Sequence, residues 1–179
     1  MLGPRLVGRD GVSLRPQTLE DVKLLRRLQL QPETTRFWGP RFMDLSDESA
    51  EERFKKSATD PASVTWSIAH AEETVGFAGL FDIDWVRRDA ESGIFIGRHD
   101  LYGRGIASEA IRLRTDYAWR ELRLHRVHNS VALPNRGSRR ANEKVGYRQM
   151  GLFERAWFRS GEWVHGWLGE LLLPPGRPE

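Results

Sequence analysis

Apolar residues along this chain either alternate with polar ones or recur every three to four positions, in blocks punctuated by Gly, Pro and Asp. The two periods predict strands and helices respectively. A short strand is expected at residues 12–16. Leu19, Val22, Leu25 and Leu28 then form one helical face behind a capping box from Thr18 to Asp21, and Pro32 stops it. Residues 37–40, Phe-Trp-Gly-Pro, read as a loop. Ser49-Ala50-Glu51-Glu52 reads as a second capping box, in a helix that carries Glu51/Lys55 and Glu52/Lys56 pairs and ends at Asp60-Pro61.

The middle of the chain switches period. Residues 65–70 and 75–83 alternate, with a turn at Glu72-Glu73, and predict an antiparallel meander. Residues 87–89 turn again, and 91–97 form the next strand. From Gly105 to about Leu122 the stripe Ile106, Ala110, Leu113, Tyr117 predicts a long amphipathic helix. A strand at 126–133 ends at Pro134, and a short helix at 138–145 is closed by Gly146. Strands at 147–158 and 162–173 meet at Ser160-Gly161, and the tail 174–179, with three prolines, reads as loose. The order β-α-α-β-β-β-α-β-α-β-β predicts an α/β fold in one domain, residues 1–179. Its mixed sheet has a parallel pair where the strand at 91–97 crosses over through the long helix.

Composition narrows the chemistry. With 179 residues and 39% hydrophobic content the chain can bury a core. It has no cysteine, which excludes a thiol nucleophile and thiolate metal sites. No apolar run is long enough to span a membrane, and residues 1–10 lack the apolar core of a signal peptide, so a cytoplasmic address is expected. The first 90 residues hold 13 basic and 15 acidic side chains, the rest 15 and 10. The basic half therefore admits an anionic partner. No nucleic-acid motif accompanies it, and Gly-Lys-Ser/Thr, the phosphate-loop signature, is absent. His125 and His128, three apart at the start of a strand, fall on opposite faces, so no metal site is expected.

The candidate anion site is Tyr102-Gly103-Arg104-Gly105-Ile106-Ala107-Ser108, between a strand and a helix. Glycines there let backbone N–H groups approach a phosphate, at the positive end of the helix dipole. Tyr102 to Ala110 resembles the pyrophosphate loop of the GNAT superfamily of N-acetyltransferases, in its RimJ/RimL-type branch. The strand at 90–97, the Asn135-Arg136-Gly137-Ser138 segment, Glu143-Lys144-Val145-Gly146-Tyr147 and the hairpin at 157–163 are similar to further segments of that family. The resemblance covers roughly residues 8–173. It implies a mostly antiparallel sheet flanked by about four helices, with acyl-CoA wedged between two central parallel strands.

The resemblance also implies residue roles. Acetyl-CoA, as co-substrate, would meet the backbone at Gly103, Arg104, Gly105, Ile106, Ala107 and Ser108. Phe95, Ile96 and Gly97 would contact the cofactor, with N–H donors to the thioester around Phe95 and Ile96, and Asn135 would offer an amide to the pantetheine arm. Asn135 reads equally as a turn residue after Pro134. Arg139 and Arg140 meet CoA phosphate or only solvate a helix face. Glu91 is the candidate base, or else a strand carboxylate paired with Arg87 or Arg88. Ser138 is either an acid for the leaving thiolate or the N-cap of its helix. Many superfamily members carry a tyrosine acid where this chain has Asn142, which cannot serve. Trp38 and Asp82 are candidate acceptor contacts. The expected reaction is acetyl transfer by direct attack in a ternary complex. The acceptor would be a primary amine on a protein N-terminus, a polyamine or another small molecule. A non-catalytic acyl-CoA-binding module is the alternative. A homodimer is one assembly the resemblance admits, and neither membrane nor nucleic acid is expected as a partner.

Overall fold

The computed structural model describes residues 1–38 and 44–174, with the side chain of Trp38 excluded. The loop expected at 37–40 thus falls partly outside the described residues, as does most of the 174–179 tail. Eight strands form one sheet in the order β1-β2-β3-β4-β5-β6-β8-β7. They are β1 (Leu6–Val7), β2 (Val12–Arg15), β3 (Val64–His70), β4 (Glu73–Asp84), β5 (Asp89–Ile96), β6 (Arg126–Ala132), β7 (Arg148–Arg159) and β8 (Glu162–Leu172). Every neighbouring pair is antiparallel except β5 and β6. The helices are α1 (Leu19–Gln29), α2 (Pro32–Trp38), α3 (Asp47–Thr59), α4 (Ile106–Arg120) and α5 (Arg136–Val145). No helix among the described residues is long and apolar enough to cross a membrane.

The fold class follows the expectation, with one helix more than the four predicted. Pro32 does not merely stop α1. It opens α2, because the first helical position needs no N–H and suits proline's fixed φ. Two caps also move. Ser46, not Ser49, caps α3, its side chain accepting from the Ser49 N–H. Asn135, not Ser138, caps α5, through Oδ1 and the Ser138 N–H at 3.2 Å. In both cases the short polar side chain lies three residues upstream of the position chosen from sequence. β1 is only two residues long and exists because Leu6 and Val7 pair with Leu14 and Ser13.

The core lies between the sheet and α4. Trp66, Ile68 and Leu80 from the strands meet Ala110, Ile111 and Ala118 of the helix, all with no accessible surface. Trp66 stands edge-on to Tyr117 at 5.2 Å between ring centroids and donates its indole N–H to the Pro4 carbonyl at 3.0 Å. The opposite face carries α1 and α3.

The capping box of α1 is anchored in tertiary structure. Asp21 receives both Arg15 guanidinium nitrogens, at 2.7 and 2.8 Å, together with the Thr74 hydroxyl and the Thr18 N–H. Burial alone would raise its pKa, but the hydrogen bonds from Arg15, Thr74 and Thr18 outweigh it and bring the carboxyl to about 2, below its ordinary 3.8. A depressed acid contributes stability that is full above its unfolded pKa and is lost as pH falls toward the folded one. Asp21 should thus contribute about 2 kcal/mol at neutral pH, vanishing between about pH 4 and 2. Denaturant titration of Asp21→Asn against wild type should show that gap at pH 7 and see it close by pH 2. A gap independent of pH would refute the linkage.

Candidate functional site

The sheet opens where the parallel pair of β5 and β6 ends. β5 and β6 are in register at Asp89/Arg126, Ala90/Val127 and Glu91/His128, and nowhere further. Beyond Glu91, β5 stays on β4 as far as Ile96/Gly76, while β6 stays on β8 as far as Ala132/Gly166. The two strands part into a notch about as long as four or five residues of strand.

Strand parity decides which groups line it. The Gly97 N–H donates to Val75 on β4 at 2.8 Å, and the Phe95 carbonyl lies against Gly76 of β4. Backbone groups alternate sides along a strand, so Ile94 and Ile96 turn theirs toward the notch. The N–H groups of Phe95 and Gly97 thus turn to β4, away from the notch, which corrects the expectation of a notch-facing donor at Phe95. The Ile96 carbonyl accepts the Tyr102 hydroxyl at 3.0 Å, so the loop residue after the 3-10 turn His99–Leu101 is tied to the notch wall.

That loop leads into α4 through two glycines in the left-handed region, Gly103 at φ 80° and Gly105 at φ 82°. A side chain at either would meet nothing within 4 Å. Gly105 is the N-cap of α4 and has no side-chain cap bond. The first intrahelical donor is the Glu109 N–H, to the Gly105 carbonyl at 3.0 Å. The N–H groups of Ile106, Ala107 and Ser108 precede it and find no backbone acceptor among the described residues. With Arg104 exposed beside them, they form a cradle for an anion at the open end of the notch. Glu109 is used structurally, accepting the Arg9 N–H at 2.9 Å and two bonds from Arg112.

At the closed end sits Glu91, half-buried, with no hydrogen bond or ion pair among the described residues. The pairing with Arg87 or Arg88 left open by the sequence does not form. Arg87 bridges Asp89 at 3.3 Å instead. Ser92 points at α4, where its Oγ meets Arg114, so Glu91 points to the other face, where α1 and α3 lie. His128 is its register neighbour on β6, and Phe81 its neighbour on β4. Sequence reasoning judged His128 only against His125. Its pairing with Glu91 is non-local and had no local signal.

Arg114 was also missed. Its guanidinium has no accessible surface and lies under the point where the strands part, donating to the Gly93 carbonyl at 2.7 Å and the Ser92 hydroxyl at 3.1 Å. Its described partners, which include the Tyr147 hydroxyl at 3.4 Å, are all neutral. A charged residue in the middle of an apolar helix stripe was the available clue.

On the β6 side, Asn142 is buried and cannot approach a ligand. It accepts from Asn129 at 2.7 Å and donates to the Ser138 carbonyl at 2.9 Å, bolting α5 to β6. Capping occupies Asn135 Oδ1 and leaves its Nδ2 donors, while the Ser138 hydroxyl has no partner among the described residues. Arg136, Arg139 and Arg140 line a groove of about 550 Å³ with Leu133, Pro134 and Trp163. Arg139 is shared with Glu143 at 3.4 Å. Asp82 is exposed in the β4 bulge, at φ 48°, one residue past Phe81. Trp38 ends α2, its side chain outside the described residues. Among the described residues no group of three or more His, Cys, Asp or Glu could hold a metal ion.

Comparison with known proteins gives the arrangement its context. The family model described as acetyltransferase (GNAT) domain matches residues 12–148. A probable N-acetyltransferase, YjcK of Bacillus subtilis, is 37% identical over 111 residues, a stretch covering 59% of this chain and 59% of that relative's length. Spermidine N(1)-acetyltransferase of Escherichia coli K12 is 26% identical over 85% of this chain and 81% of its own. Among solved structures, the spermidine N-acetyltransferase of Vibrio cholerae in complex with CoA and spermine superposes with a TM-score of 0.81, at 23% identity, over 90% of this chain and 95% of that one. Mycobacterium smegmatis RimJ in complex with CoA-disulfide superposes equally, at 0.81 and 23%, over 94% and 86%.

Proposed function

We propose, from the premise that the chain belongs to the acetyltransferase (GNAT) domain family and is an N-acetyltransferase, that it moves an acetyl group from acetyl-CoA to a primary amine by direct attack in a ternary complex. The observation that carries this reading is the notch between β5 and β6, with the Gly105-capped start of α4 at its open end and Glu91 at its closed end.

In this reading the N–H groups of Ile106, Ala107 and Ser108, with Arg104, hold the diphosphate, and Asn135 Nδ2 reaches the pantetheine arm. Ile94 and Ile96 offer N–H groups to the extended chain in the notch. The buried Arg114 charge makes the notch favourable for the negative charge that develops on the thioester oxygen. Glu91 takes a proton from the acceptor ammonium, of which only about one in a thousand is free at neutral pH for a lysine-like amine. The free amine attacks the carbonyl carbon, the C–N bond forms and the C–S bond breaks. The second amine proton ends on the departing sulfur, by way of Ser138 or water. Asn142, locked in the core, has no part in it.

A protein N-terminus, as for a RimJ/RimL-type enzyme, and a small amine are both acceptors this chemistry admits. The named N-acetyltransferases among the relatives do not favour the non-catalytic alternative. The first test is calorimetric titration with acetyl-CoA, with ATP as control. Saturable binding of acetyl-CoA alone is expected. Glu91→Gln should then lower kcat/KM by roughly 10²- to 10⁴-fold with acetyl-CoA affinity unchanged. Full turnover in that variant would remove Glu91 from the mechanism.

A further inference from the structure

The face toward which Glu91 points carries a groove of about 200 Å³ between α1, α3 and the sheet. Its floor is Phe77 and Phe81 of β4, and Phe81 is the register neighbour of Glu91. The groove therefore adjoins the closed end of the notch, where the reacting amine must sit. Its volume suits a group the size of a small amino acid.

Cations outnumber carboxylates around it. Arg26, Arg53 and Lys56 line it, against a single carboxylate, Asp60. Asp60 is shared. Its Oδ1 accepts the Ala62 N–H at 2.9 Å, and its charge lies beside both the N-terminal ammonium and Lys56. Arg26 is buried and donates to the carbonyls of Ser49 and Asp44 and to the Ser49 hydroxyl, and its charge also acts on the Asp44 carboxylate. Arg53 has no hydrogen bond or ion pair among the described residues, although much of its surface is open to solvent. Burial of its guanidinium, then the neighbouring Arg26 charge, push its pKa below the ordinary arginine range. Thr65 also lines the groove, and its Oγ1 is buried with no partner. A buried hydroxyl without a partner, in a groove with Arg53, which has no anionic partner among the described residues, is an arrangement that an anionic group completes.

We infer that the acceptor is a small amino acid-type molecule carrying a carboxylate as well as its primary amine, the carboxylate seated by Arg53, Lys56 and the Thr65 hydroxyl. This rests on the transferase reading above and narrows it. The groove holds a carboxylate while the amine lies against Glu91, and the same cations repel a polyamine.

Matched pairs differing only in the carboxylate test it: lysine against cadaverine, ornithine against putrescine, tyrosine against tyramine. Spermidine and a neutral N-terminal peptide complete the panel. Release of free CoA is the readout, on protein already shown to bind acetyl-CoA. The carboxylated member of at least one pair should have a kcat/KM roughly 10- to 100-fold above its partner and above spermidine, since a charge-assisted contact is at stake. Arg53→Gln should collapse that ratio toward one, chiefly through KM, and Arg53→Lys should restore most of it. Acetyl-CoA affinity should be the same in all three proteins. Turnover of only polyamines or peptides, turnover of no carboxylated member, or a ratio indifferent to Arg53→Gln would each overturn the inference. Failure to bind acetyl-CoA at the outset would instead overturn the transferase reading itself.

Discussion

Gly105→Val should abolish measurable acetyl-CoA binding, a loss of at least about 100-fold, while the protein still folds. Gly105 is the N-cap of α4 at φ 82° and ψ −6°. A left-handed conformation costs an L-residue about 1–2 kcal/mol, and a β-branched one sits there least readily. No atom lies within 4 Å of the position a Cβ would take, so packing is spared. The damage falls on the cradle. The branched side chain points into the space an anion needs, and relaxing φ tilts the Ile106, Ala107 and Ser108 N–H groups away. Charge-assisted hydrogen bonds contribute about 1.5–3 kcal/mol each, so misaiming one or two accounts for the expected loss. Gly161→Val is the control. Gly161 has φ 86° and open surroundings in the β7–β8 turn, far along the chain from the loop. Calorimetry on the two variants should show equal strain in Tm but loss of acetyl-CoA binding only at Gly105. Equal affinity in both would mean that the glycine serves the helix start alone.

Arg114→Ala should produce the largest loss of stability, about 3–5 kcal/mol, read as a fall of roughly 10 °C or more in Tm. The side chain is fully buried, so truncation leaves a cavity and removes donors from the Gly93 carbonyl and the Ser92 hydroxyl. Arg114→Met separates volume from charge. A buried cation without an anion carries a desolvation cost, so filling the space with an apolar chain should recover most of the stability. Catalysis should not recover with it if the charge acts on the notch, and kcat measured beside Tm makes that comparison. A methionine variant as unstable as the alanine one would show that the hydrogen bonds, not the packing, hold Arg114 in place.

Local chemistry made much of this protein legible before any coordinates. The Thr18-to-Asp21 capping box, the stripe of α4, the Gly146 C-cap and the turn at Ser160-Gly161 depend on residues within a few positions of one another. So does the glycine loop. Its place between a strand and an amphipathic helix is a sequence feature, and its positive φ angles are what two glycines there imply. Misplaced caps at Ser49 and Ser138 came from choosing among polar residues three apart, a choice that depends on where the preceding chain turns. Pro32 was read only as a stop, because nothing local shows that the residue ending one helix also opens the next.

Sequence alone thus determined the order of elements apart from β1 and α2, the crossover that makes β5 and β6 parallel, the glycine loop between β5 and α4, and the residue types available for chemistry. Only the tertiary structure decided where β5 and β6 part, which backbone groups face the opening, and that Glu91 stands beside His128 and Phe81 free of the arginines near it in sequence. Arg53 and Lys56 come to the floor phenylalanines in the same way, across more than 20 residues of chain. The division has one physical cause. Caps and helical faces are set by interactions within a turn or two of chain. Register, parity and groove lining are set by pairing between distant segments, where shifting a strand by one residue turns every side chain to the opposite face.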